Sequence, residues 1–203
     1  DCSTKSRARE IPLHFDDGRP SPKPLRSEDF PLGLPGLKPE DKERVDKDNA
    51  ASEFVLAQIQ KAAVNGKGSI RENPLRSLHW NCPSEEAMMA SGLWWSKPYS
   101  ACALMEARCK AQELRHNLDE IQSWPAMQCH HLHDPDEWKP WIDQATGETM
   151  FPSKFEAEYT AALAFALAVA ASWWAARTGE AKLQVHRMPP IERTGDRRSW
   201  LAH

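Results

Sequence analysis

Glycine is scarce in this chain: nine occur in 203 residues, and none falls in a Gly-x-Gly-x-x-Gly array. A fold that wraps a nucleotide-like cofactor needs such a turn after its first strand, because the backbone must approach the ligand closely there. The expectation is a cofactor-holding half that lies upstream or is absent. Excess charge is lacking as well. A net charge of −3 and a pI near 6.3 give no global field toward a polyanion, leaving local basic runs at Lys5, Arg7 and Arg9 and at Arg193, Arg197 and Arg198. No stretch resembles a signal peptide. The five cysteines, Cys2, Cys82, Cys102, Cys109 and Cys129, form an odd set outside any short secreted framework, which points to a reducing compartment. Long hydrophobic runs are also missing, except for the uncharged, alanine-rich stretch from Thr160 to Ala176. That length is at the lower edge of a bilayer span, so a buried core helix is expected there and a membrane partner is not.

Proline is plentiful between Ile11 and Pro39, where it removes backbone donors and favours extended angles, so a long loop is expected. Pro39-Glu40-Asp41 then has the character of a helix start. Val45, Ala51, Val55, Ile59 and Ala62 follow at helical spacing before Asn65-Gly66. Ser69 to Glu72 reads as a strand running into Asn73-Pro74, which would hold the Glu72 carboxyl at a strand's end, facing a crevice. Pro83 to Met89 reads as a short helix closed by Gly92, Tyr99 to Met105 as a buried strand, and Arg108 to Asn117 as its return. Phe155 to Arg177 is the strongest helix, and the final residues from Met188 read as a basic tail.

Cys129-His130-His131-Leu132-His133 is the most metal-like cluster. Thiolate and imidazole at Cys129, His131 and His133 could form part of a zinc site completed by Cys109 or Cys102, but the spacing follows no two-by-two pattern. A polar, hydrogen-bonded loop without a metal is the expectation.

Four motifs in order carry a resemblance: Cys2-Ser3-Thr4-Lys5-Ser6-Arg7-Ala8-Arg9, Pro24-Leu25-Arg26-Ser27-Glu28, Leu34-Pro35-Gly36 and Glu72-Asn73-Pro74. Together they resemble DNA cytosine-5 methyltransferases, and more closely a divergent methyltransferase-like family of retroelement polyproteins. The resemblance implies an α/β chain with a partial Rossmann-like fold that lacks its cofactor-binding half. Residues 1–185 would be the C-terminal part of that domain, with the Pro-rich loop at 11–39, the long helix at 155–177 and the basic tail at 186–203. It implies Cys2 as nucleophile, Glu72 as the acid on the base and Arg108 as the group orienting it, with Asn73, Pro74, Arg7 and Lys110 binding substrate. S-adenosylmethionine is the implied cofactor. DNA is the implied partner, beside the missing half or another protein, and the implied location is intracellular and nuclear. The alternatives are a non-catalytic interaction module and a small membrane-anchored subunit.

Overall fold

The computed structural model describes residues 4–10, 21, 23–134, 136–147, 149–150, 152 and 159–180. The first long element is helix α1, Pro39–Val64. Proline lacks the N–H that a first helical turn cannot use, and Glu40 and Asp41 face the positive end of the helix dipole. Asn65 closes the helix with its N–H on the Lys61 and Ala62 carbonyls, and Gly66 at φ 70° turns the chain away. The inward stripe differs from the expected one. Val45 and Leu56 are buried, whereas Ala51 and Val55 are exposed. The reason is electrostatic: the middle of the buried side is polar, and it receives two cations. Lys5 pairs with Asp48 at 3.7 Å and reaches Ser52. Arg26 donates to Asn49 at 2.7 Å, to the Val45 carbonyl at 3.2 Å and to Asp48 at 3.2 Å. Burial pulls the pKa of both cations down, opposed by the charge of Asp48. These bonds hold the Pro-rich segment around Arg26 against α1.

Strands β1 (Ile70–Pro74), β2 (Trp95–Ser100) and β3 (Ala111–His116) form one sheet in the order β1-β3-β2, with both pairs antiparallel. The fold is therefore mixed α/β around a small antiparallel sheet. Pro74 and Pro98 both sit in edge strands, where a missing donor costs no ladder bond on the open side. Tolerance of proline at an edge corrects two expectations. The strand read from Tyr99 to Met105 instead begins at Trp95 and runs through Pro98, while Ala101–Leu104 forms a 3-10 turn. Glu72 and Asn73 lie inside the ladder, opposite Leu114 and Glu113, instead of at its end.

One face of the sheet carries Ile70, Tyr99 and Leu114 against helices α3 (Asp119–Gln122) and α4 (Ala161–Arg177). Leu118, Ile121, Leu163 and Ala170 complete this core. Each buried Leu or Ile contributes about 1.5–3 kcal/mol relative to exposure. Thr160 caps α4 by accepting the Leu163 N–H at 3.2 Å, and its hydroxyl donates to the Leu104 carbonyl at 2.6 Å. Gly68 lets α4 approach, because a Cβ there would stand 3.1 Å from the Trp174 ring. The expected buried core helix is corrected to an edge-on one: α4 buries Leu163 and Ala170 but leaves Phe165 and Trp173 about half exposed. Its alanine content lets one narrow stripe pack closely while the rest faces out. Among the described residues no helix is long and apolar enough to cross a membrane.

Helix α2 (Pro83–Ala90) covers the opposite face and packs on α1 through Met88, Leu56 and Trp94. It buries Glu85 among Arg71, His79 and Arg115. Arg115 in turn lies 4.2 Å over the Trp80 ring. Strands β4 (Trp141–Ile142) and β5 (Thr149–Met150) make a separate two-stranded ribbon.

Candidate functional site

Glu72 stands on the α4 face of β1. Its Oε2 accepts a hydrogen bond from the Tyr159 hydroxyl at 3.2 Å, while Oε1 is buried with no hydrogen-bond partner among the described residues. Burial pushes the carboxyl above the usual carboxylate range, and the Lys110 charge and the Tyr159 bond offset part of that rise. Burial beside Glu72 also pushes the Tyr159 hydroxyl up to about 12, and burial raises Tyr99 likewise. A carboxyl in this setting can hold a proton that a solvated one would release.

Of the sequence-derived site residues, Lys110 lies near enough for its charge to act on the Glu72 carboxyl. Asn73 and Pro74 follow in the ladder, with Asn73 on the opposite face by the alternation of a strand. The Pro74 carbonyl accepts the Trp80 indole N–H at 3.0 Å. Arg108 donates to the Glu137 carbonyl at 2.8 Å. Arg7 donates to the Arg76 carbonyl at 2.6 Å and pairs with Glu28. Cys2 lies outside the described residues. Segment 4–7, which follows it, docks beside the turn after Pro74, because the Leu78 N–H also donates to the Lys5 carbonyl at 3.0 Å. Tyr159 carried no sequence signal as a Glu72 partner, being 87 positions away.

A second constellation gathers where the β2–β3 connection meets the loop after α3. One ligating atom from each of Cys102, Cys129, His131 and His133 lies within 4.8 Å of all the others. The Cys129 thiol is 3.2 Å from His133 Nε2 and 3.9 Å from His131 Nδ1. Hydrogen bonds from the His131 backbone and from Cys102 bring Cys129 down to about 6, while burial and the neighbouring thiols raise Cys102 to about 12. Cys109 interacts with both thiols. All four described cysteines are free. Glu137, which sequence reading missed, accepts the Cys109 N–H at 2.9 Å and meets His133 Nδ1 at 3.0 Å. Its only sequence signal is an acid four positions after a histidine. Trp138 pins the same corner by donating to the Cys109 carbonyl at 3.1 Å.

A groove of about 320 Å³ runs between β2 and residues 126–128, lined by Leu75, Lys97, Tyr99 and Met127 among others, and does not include Glu72. No known family, no curated protein and no solved structure matches the chain.

Proposed function

We propose that this chain is the base-handling part of a DNA cytosine-5 methyltransferase-like protein, in which Glu72 holds the ring of an extruded cytosine. The observation that carries this is the Glu72 carboxyl: half-buried, raised in pKa by that burial, with Oε2 on Tyr159 and the buried Oε1 without a hydrogen-bond partner among the described residues. Such a group costs the fold stability, and a ring nitrogen would give Oε1 a partner that the described residues do not supply. A protonated Glu72 donates to that nitrogen and withdraws electron density from the ring. Carbon 6 then becomes the better target for the Cys2 thiolate. Extrusion is required because that carbon is inaccessible within a stacked duplex.

Two features support a partial Rossmann-like origin. β1 is an edge strand whose outer side has no strand partner among the described residues, so a strand of a cofactor half has a place to pair. The chain that follows Cys2 is fastened to residues 76–78, within a few residues of β1. S-adenosylmethionine, which the resemblance implies, finds no fitting loop here. The glycines with left-handed backbone close helices or turns, as Gly66, Gly92 and Gly179 do, and none described lies in a strand-to-helix turn. The proposal therefore ends at binding and activating the base.

The test is binding of the chain to a duplex carrying one mismatched cytosine, against the same duplex with an abasic site. Cytosine should be preferred, more at pH 6 than at pH 8, and Glu72→Ala should remove the preference. Equal binding of both duplexes by the native chain would end the proposal. A non-catalytic interaction module is the second reading, favoured by the exposed Phe165 and Trp173 of α4.

A further inference from the structure

We propose that Cys102, Cys129, His131 and His133 form a closed structural zinc site that fastens the loop after α3 to the β2–β3 connection. The distances fit the ion. Zinc bonds sulfur at about 2.3 Å and imidazole nitrogen at about 2.0–2.1 Å, so tetrahedral ligand atoms stand about 3.5 Å apart. The pairs at 3.2 Å and 3.9 Å on the Cys129 sulfur bracket that spacing. Two sulfurs and two imidazole nitrogens in such a set select zinc over hard cations. With four protein ligands no position is open for water, which makes the site structural instead of hydrolytic.

The surroundings are built for a metal. Glu137 receives His133 at Nδ1, which leaves Nε2 directed at the cluster, the carboxylate–histidine arrangement that orients a zinc ligand. The Cys129 N–H donates to the Ser100 hydroxyl at 3.1 Å, fixing the ligand loop to the end of β2. Cys102 sits on the 3-10 turn next in sequence, so the ion would join two segments 27 positions apart.

The loop also needs a fastener. Trp124 and Met127 pack partly buried on the sheet core, but from Gln122 to Gly147 no described residue is fully buried, and Leu132 is fully exposed. A stretch with no apolar core of its own holds a fixed shape only if something else closes it, and metal binding is a common means. The site is independent of the Glu72 reading, since its ligands lie on other segments.

The test begins with the native chain, purified without chelator and assayed for metal and intact mass. One zinc per chain is expected. A chain with no zinc, or one lighter by two hydrogens because two of these cysteines have formed a disulfide, overturns the proposal. Chelation followed by hydrogen exchange should remove protection within residues 122–147 and leave β1, β2 and β3 protected. Unchanged exchange in that loop counts against it. Cys129→Ser and His133→Ala should each lose the metal, and His130→Ala should keep it. Cobalt substitution counts the sulfurs. The sulfur-to-cobalt absorption should keep its intensity in Cys109→Ser, and a drop of about a third would hand the fourth position to Cys109 and overturn the place given to His131.

Discussion

The Nδ1 of His133 lies 3.0 Å from Oε2 of Glu137, while the other carboxylate oxygen of Glu137 holds the Cys109 backbone N–H at 2.9 Å. One side chain thus orients a histidine of the ligand loop and anchors the hairpin connection facing it. Second-sphere partners of this kind typically account for 10- to 100-fold in metal affinity. Glu137→Gln is therefore expected to weaken zinc binding by about that factor without abolishing it, measured by competition with a chelator of known affinity. An unchanged affinity would show that the carboxylate serves the hairpin alone.

Glu85 gives a prediction about the fold. It is buried against Arg71, His79 and Arg115. Burial alone would raise its carboxyl, yet the His79 bond and the Arg71 charge overcome that and hold it below the usual carboxylate value. A depressed carboxyl contributes stability that is present above its unfolded pKa and lost as pH falls through its folded one. Removing it by Glu85→Ala takes from Arg71 and His79 the anion they share and leaves Arg115 with Glu113 alone, at a cost of about 3–5 kcal/mol near neutral pH. Chemical denaturation at pH 7 and pH 3 should show the deficit shrinking in acid. A constant deficit would trace it to packing.

His116 sets a second acid limit. It is fully buried, accepts the Leu118 N–H at 3.3 Å through Nδ1, and has no hydrogen-bond partner at Nε2 among the described residues. Burial brings its pKa from 6.5 down to about 4. The neutral ring is the folded form, so its contribution is complete above pH 6.5 and declines as pH falls toward 4, by roughly 3 kcal/mol in all. His116→Gln should flatten that part of the stability curve relative to the native chain. Equal slopes in both proteins would mean that other groups govern the decline.

Much of the helical framework is legible in local sequence. Pro39 with Glu40 and Asp41 opens α1, Asn65-Gly66 closes it, and Pro83 and Gly92 bracket α2, because helix ends are set by a few neighbouring residues. β2 was harder to place, since Pro98 argues against a strand until β2 is known to be an edge. The polar middle of α1 was illegible for a different reason: Asp48 and Ser52 face inward only because Lys5 and Arg26 arrive from elsewhere in the chain. The same holds for both sites. Glu72 was visible as a residue, but the hydrogen bond it accepts comes from the distant Tyr159, and the Cys129 cluster takes shape only when the β2–β3 turn brings Cys102 to it.

The Glu72 environment makes the last prediction, and its sign is the opposite of that for Glu85. A carboxyl whose pKa is raised by burial favours folding when protonated, so its contribution is intact below about pH 4.5 and lost as pH rises through the folded value. At neutral pH the Glu72 charge therefore works against the fold. Glu72→Gln keeps the shape and removes the charge, and should stabilise the protein by roughly 1 kcal/mol at pH 7.5, a rise of about 2–4 °C in Tm for a chain of this size. Near pH 4 the gain should vanish. Tyr159→Phe removes the hydroxyl that donates to Oε2, so the charged carboxylate becomes costlier and the same Gln substitution should gain more in that background. A destabilised Glu72→Gln, or a gain that does not change with pH, would identify Glu72 as an ordinary structural carboxylate and remove the physical basis for placing a base against it.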